Sequence, residues 1–191
     1  MTAVSPLAMA IGQGYYGAID LGQSTASRAC DSSLQTSMYG GSSNFSCTNK
    51  ANSYGPSIGY QFNENLAIEA GYVRVGKFSY SFVTSACGGC TIASNEDFSV
   101  LRFAVIGYLP SANNFSMFGK AGFNRWSRTS SGSQYLGPFQ SSDSGVGSLI
   151  GFGAKYDFSQ SLAVRFQFET QGVGSSELKK IDMLSVGLII Q

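Results

Sequence analysis

The chain has 191 residues and no histidine. That absence removes the commonest general base and the commonest metal ligand, and with them any Ser-His or Cys-His nucleophile pair. Charge is also scarce: Lys, Arg, Asp and Glu make up 12% of the residues, where an ordinary soluble domain carries about 25%. So few ions do not cover a globular surface. The net charge of +1, with no basic run, leaves no footprint for a nucleic acid. Long apolar runs are missing as well, because Gly, Ser, Gln and Asn interrupt every window of about 18 residues, and no transmembrane helix is expected. If this chain enters a membrane, strands must carry it there.

What the chain has in quantity is glycine, 24 residues, and aromatic residues, 13%. They sit in segments of period two. In "LIGFGAKYDFSQSLAVRFQF", residues 149–168, Ile150, Phe152, Ala154, Tyr156 and Phe158 share one parity and Gly151, Gly153, Lys155 and Asp157 the other. After a turn, Leu162, Val164, Phe166 and Phe168 alternate with Ala163, Arg165, Gln167 and Glu169. Alternation on both sides of a polar turn predicts a β-hairpin. Further segments of this kind run over 14–24, 54–62, 66–80, 98–109, 115–126 and 181–190, which with the hairpin makes eight strands. Their connections alternate between short ones (63–65, 110–114, 157–161) and long polar ones (25–53, 81–97, 127–145, 172–180).

Eight strands joined in this way predict an all-β fold, an eight-stranded antiparallel up-and-down transmembrane β-barrel over residues 13–191, with four long extracellular loops. Residues 1–12 precede it as an N-terminal arm or the tail of an export signal, with the small-x-small ending Ala8 and Ala10. Parity says which face is wet. Asp20, Glu69, Arg102, Lys120, Lys155, Arg165 and Glu169 all fall opposite the apolar parity of their strands. A soluble lipocalin-like barrel would turn its charges outward, but it would need many more of them. The charged face is therefore assigned to the lumen, where these seven residues are expected to form an ion-pair network, and the aromatic-rich face to lipid. Phe62, Phe115 and Phe158, beside the short turns, suit an interfacial girdle, with Trp126 and Tyr80 at the opposite rim.

The sequence resembles the OmpA-like transmembrane domain of Gram-negative outer membranes. The residues that carry the resemblance are "GYYGAIDLGQS" at 14, "GYQFNENLAIEAGYVRVGK" at 59, "FGKAGF" at 118, "GFGAKYDFSQSLAVRFQFE" at 151 and "IDMLSVGL" at 181. The resemblance implies an integral outer-membrane barrel with a plugged polar interior, inserted by the outer-membrane assembly machinery. Members of the family often carry a peptidoglycan-binding domain after the barrel. No such domain follows within these residues, so cell-wall anchoring is not carried over. The family's terminal aromatic would be expected one place past Gln191.

The four cysteines, Cys30, Cys47, Cys87 and Cys90, fall in the first two long connections and outside every predicted strand. Of the three pairings open to them, Cys30 with Cys47 and Cys87 with Cys90 is favoured, since each pair shares one connection in an oxidising compartment. "CGGC" also has the form of a redox or zinc site, but a four-cysteine zinc site needs both connections to converge. Gly-x-Gly stretches such as "GFG" precede no helix and no Lys-Ser/Thr pair, so they read as strand glycines rather than phosphate loops. The expectation is a non-enzymatic protein without cofactor or metal, a monomer in the outer membrane of a Gram-negative bacterium. Its surroundings would be outer-membrane lipid, the assembly machinery and a binding partner at the loops. A narrow or gated pore for small solutes is one alternative, and a soluble lipocalin-like binder of a small ligand is the other.

Overall fold

In the computed structural model, which describes residues 13–27, 30, 42–84, 88–110, 114–134, 137–174 and 179–191, the chain is a single antiparallel sheet of nine strands. They are β1 (Gly14–Ala26), β2 (Ser42–Thr48), β3 (Lys50–Asn63), β4 (Leu66–Thr84), β5 (Cys90–Pro110), β6 (Phe115–Gln134), β7 (Gly137–Asp157), β8 (Leu162–Gly172) and β9 (Lys180–Ile190). Following the pairings from β1 through β3 to β9 returns to β1, because β1 is bonded to both β3 and β9. The remaining link is β4 to β5. Eight strands thus form a ring with no free edge, which is how an isolated sheet satisfies all its backbone groups in lipid.

The ninth strand, β2, is separated from β3 by Asn49 alone and continues its line upward, pairing with β4 from Ser42↔Thr84 to Thr48↔Ser79 with a register shift between Ser43 and Ser46. It therefore lengthens the second staff of the barrel. The sequence placed these residues in a loop. At the lower end the turns are tight: the amide of Asn65 donates to Asn63 Oδ1 at 2.9 Å, and the amide of Phe158 to the Leu162 carbonyl at 3.0 Å. Asn114 takes a left-handed φ of 62°, a conformation that asparagine tolerates better than most residues.

Two of the predicted long loops are corrected here. Residues 81–97 and 127–145 lie almost wholly in strands, since β4 and β5 leave only 85–89 between them and β6 and β7 only 135–136. These strands are 19 to 21 residues long. Crossing a bilayer takes about 9 to 11 residues, so roughly half of each hairpin stands above the membrane. In upper β6–β7 both faces meet water and the sequence becomes polar on both parities. In upper β4–β5 the inner face stays buried but mixes Phe82 and Ile92 with Ser94 and Glu96, so in both hairpins the clean alternation of a half-buried strand fades. The strands persist because their backbones remain paired, as in Ser127↔Ser144 and Ser130↔Ser141.

Cys47 lies within β2 and Cys90 opens β5. Cys30 and Cys47 are joined in a disulfide, with Cα atoms 5.7 Å apart, which ties the end of β1 to β2. This bond removes two of the four thiolates that a zinc site would need. Cys90 is also disulfide-bonded, while Cys87 lies outside the described residues, as does the expected N-terminal arm.

The outer surface is apolar across the middle of every strand of the ring. Ile19, Ile58, Ile68, Phe103, Phe123, Ile150, Phe166 and Leu184 all point outward, Phe166 with 59% of its surface exposed. Rows of exposed large side chains on every staff are what a lipid-facing belt requires and what a soluble barrel avoids. At the lower rim Phe62, Phe115 and Phe158 are exposed, and Tyr15, Tyr60 and Phe62 form an edge-to-face chain with centroids 4.9 and 5.1 Å apart.

Candidate functional site: the closed lumen

Inside the ring, six side chains form a closed circuit of alternating charge. Asp20 on β1 accepts from Arg102 of β5 (Nη2–Oδ2 2.6 Å), and Arg102 also donates to Glu169 of β8 (Nη1–Oε2 2.6 Å). Glu169 contacts Lys120 of β6 at 2.8 Å, and Lys120 reaches Glu69 of β4 at 2.9 Å. Arg165 of β8 closes the circuit, bonded to Glu69 and, in bidentate fashion, to Asp20 (Nε–Oδ1 2.9 Å, Nη2–Oδ2 2.7 Å). Every anion touches two cations and every cation two anions. Three of each leave the circuit neutral, which is the only inexpensive way to hold six ions out of water.

Secondary bonds fix the geometry. Tyr16 donates to Glu69 at 3.1 Å, Ser57 receives Arg165 at 3.1 Å, and Gln167 receives Lys120 at 3.2 Å. Room for the ions comes from missing side chains. Gly187 lies directly opposite both Asp20 and Arg165 in the ladder, and a Cβ there would strike the Asp20 carboxylate. Gly71 leaves room for the Arg102 guanidinium in the same way. Gly187→Val should therefore push Asp20 off its arginines and cost about 1 to 3 kcal/mol. Denaturant unfolding in lipid vesicles measures this, and unchanged stability would mean that Asp20 does not sit against β9.

Of the seven predicted lumen residues, Lys155 is the one that the structure sets apart. It is buried, but its ammonium lies 3.1 Å from Asp157 and 5.1 Å from the centre of the Tyr108 ring, below the circuit. Lys155 and Arg165 are direct cross-strand neighbours. Two like charges at that spacing repel, so each turns to its own anion, Arg165 upward and Lys155 downward.

The circuit lies between two apolar clusters inside the lumen. Below are Tyr16, Ala18, Ala67, Ile106, Tyr108, Phe118, Ala163 and Ile189. Above are Val73, Val75, Phe78, Phe98, Val100, Trp126, Val173, Ile181 and Met183, with Ala26. The expected place of Trp126 on the outer rim is thereby corrected: it is 4% exposed and faces inward. The signal was present in the sequence, since Trp126 shares the parity of Lys120. Tyr80 is corrected for a different reason, a bulge between Val75 and Phe78 that reverses the parity of upper β4. It lies opposite buried Ser94, half-buried and on the inner side.

Between the circuit and the upper cluster the wall is polar. Ser53 and Ser185 flank Gly22 on neighbouring strands, and Gln167 follows Ser185 in register. Ser53 Oγ, Ser185 Oγ and Gln167 Nε2 have no protein partner although buried. Ordered water satisfies such groups.

A ring of eight strands that is apolar outside, with paired ions within, defines an integral membrane β-barrel. The lipocalin alternative, with its opposite polarity, is excluded. The chain belongs to the OmpA-like transmembrane domain family, whose model matches residues 12–190. It is an outer-membrane protein of the Gram-negative type. Solved structures with the same fold include Neisserial surface protein A (12% identity, TM-score 0.58, covering 93% of this chain and 96% of that one). The N-terminal β-barrel domain of Pseudomonas aeruginosa OprF is also similar (16%, TM-score 0.54, 94% and 99%), as is the outer membrane protein OprG from the same organism (10%, TM-score 0.56, 94% and 97%). A search of curated proteins returns no match to this chain.

Proposed function

We propose that this protein is a non-catalytic barrel with a sealed lumen, which spans the outer membrane as a monomer and presents its extracellular hairpins to a partner at the cell surface. The observation that carries the reading is the stack inside the barrel, an apolar cluster, a neutral ionic circuit and a second apolar cluster. An eight-stranded barrel is just wide enough for side chains to fill. Here three successive layers fill it. Substance left over for function then lies outside, in the hairpins β4–β5 and β6–β7 that rise beyond the bilayer. One neighbour of similar fold, Ail of Yersinia pestis, was solved in complex with a heparin analogue, and its fold supports a surface-binding role for this one.

Single-channel recording in planar bilayers tests the seal. The intact protein should show rare, small openings, and Glu69→Ala or Glu169→Ala should raise their frequency by unlinking the circuit. A large, steady conductance in the unmutated protein would overturn the sealed-lumen reading. The second reading, a gated pore, is favoured by the unpartnered buried polar atoms of Ser53, Ser185 and Gln167, which suit a hydrated stretch of lumen.

A further inference from the structure

The apolar belt ends at a definite level on the side away from the short turns. On β3, β4, β5 and β6 its last outward residues are Tyr54, Tyr72, Leu101 and Phe123, all exposed. The next outward positions are Asn52, Arg74, Ser99 and Arg125. Arg74 lies opposite Tyr54 and Ser99, Arg125 opposite Leu101, and Ser99 opposite Ser127. The two arginines thus stand on either side of β5, about two strand spacings or 10 Å apart laterally, with Ser99 on β5 between them and Ser127 next above Arg125 on β6.

Both arginines are exposed, and among the described residues no carboxylate lies within ion-pair distance of either. Asp97 on the same face is 4.0 Å from Lys77. Asp182, at the corresponding level of β9, has Lys180 at 3.1 Å and the Thr170 hydroxyl at 2.8 Å. Unmatched cations at the edge of a lipid belt call for anions from the lipid. We infer that Arg74 and Arg125 form a binding site for the phosphate groups of a phosphorylated glycolipid in the outer leaflet.

Three features fit that ligand. A guanidinium presents a planar fork of donors that matches phosphate oxygens. Tyr54 and Tyr72, just below, sit where an interfacial aromatic packs beneath a headgroup. The lateral spacing suits two phosphates at opposite ends of a disaccharide headgroup, whereas a phospholipid brings a single phosphate and reaches one arginine at a time. The site is independent of the lumen and of whether the barrel conducts.

The folded protein in detergent micelles, titrated with a short-chain lipopolysaccharide, with its phosphatase-treated form and with phosphatidylglycerol, tests the site by native mass spectrometry. Untreated lipopolysaccharide should bind at least about tenfold more tightly than either alternative. Arg74→Gln or Arg125→Gln should each weaken it about tenfold and the double variant about a hundredfold, while Arg→Lys at both positions should fall in between. Equal binding of all three lipids, or unchanged affinity in a double variant that keeps heat-modifiable migration, would overturn the assignment. If the glutamine variants do not fold, the comparison of phosphorylated with dephosphorylated glycolipid on the unmutated protein decides alone.

Discussion

Arg165→Met should destabilise the barrel by about 3 to 5 kcal/mol, as loss of one partner from a buried ion network does. The size follows from position. Arg165 is 1% exposed and serves both Asp20 and Glu69. Without it, three carboxylates face two cations, and all five groups are almost wholly buried. Adding Asp20→Asn restores neutrality, so the double variant should be more stable than the sum of the two single losses implies. Urea unfolding of protein inserted in lipid vesicles gives all four values. A cost below about 1 kcal/mol for Arg165→Met would place these ions in solvent-like surroundings, contrary to a sealed interior.

The second large effect is expected on the opposite face. Phe166→Arg, beside Ala154 and Val186 in the ladder, should cost about 2 to 4 kcal/mol in the bilayer, while Phe158→Arg at the lower turn should cost about 1 kcal/mol or less. The difference measures depth, because an arginine near the rim reaches water and one at mid-belt does not. Equal costs at both positions, measured by the same unfolding assay, would show that the apolar belt is not the membrane-embedded surface.

Much of this arrangement was legible in the residues themselves. Asp20, Glu69, Arg102, Lys120, Arg165 and Glu169 could be placed in the lumen because one charged residue among apolar neighbours of opposite parity reports its face directly. The partition of Lys155 was not legible, because its anion, Asp157, looked like part of a turn and nothing local shows which of two adjacent cations an acid will serve. Parity sufficed for Trp126, Val73 and Val100, yet attention to charge hid the apolar clusters that share the lumen. Tyr80 called for a shift of phase rather than a single parity: Gly76 inside the strand marks the bulge between Val75 and Phe78, beyond which Phe78, Tyr80 and Phe82 take over the inner parity. The extended hairpins were hidden by composition: upper β6–β7 is rich in Ser and Gly on both faces, and the inner face of upper β4–β5 mixes Phe82 and Ile92 with Ser94 and Glu96, so the sequence there resembles a loop while the backbone remains in a sheet.

Trp126 is the chain's single tryptophan, and its burial inside the upper cluster, with Nε1 lacking a protein partner, makes it an optical reporter of the lumen alone. Brominated acyl chains quench an indole from the lipid side and iodide quenches it from water; behind the strand wall and above the ionic circuit, this indole is screened from both. Any state in which iodide gains access while the brominated lipid does not is a state in which the barrel has opened along its axis without leaving the membrane. The protein thus carries its own gauge of opening, readable without a label.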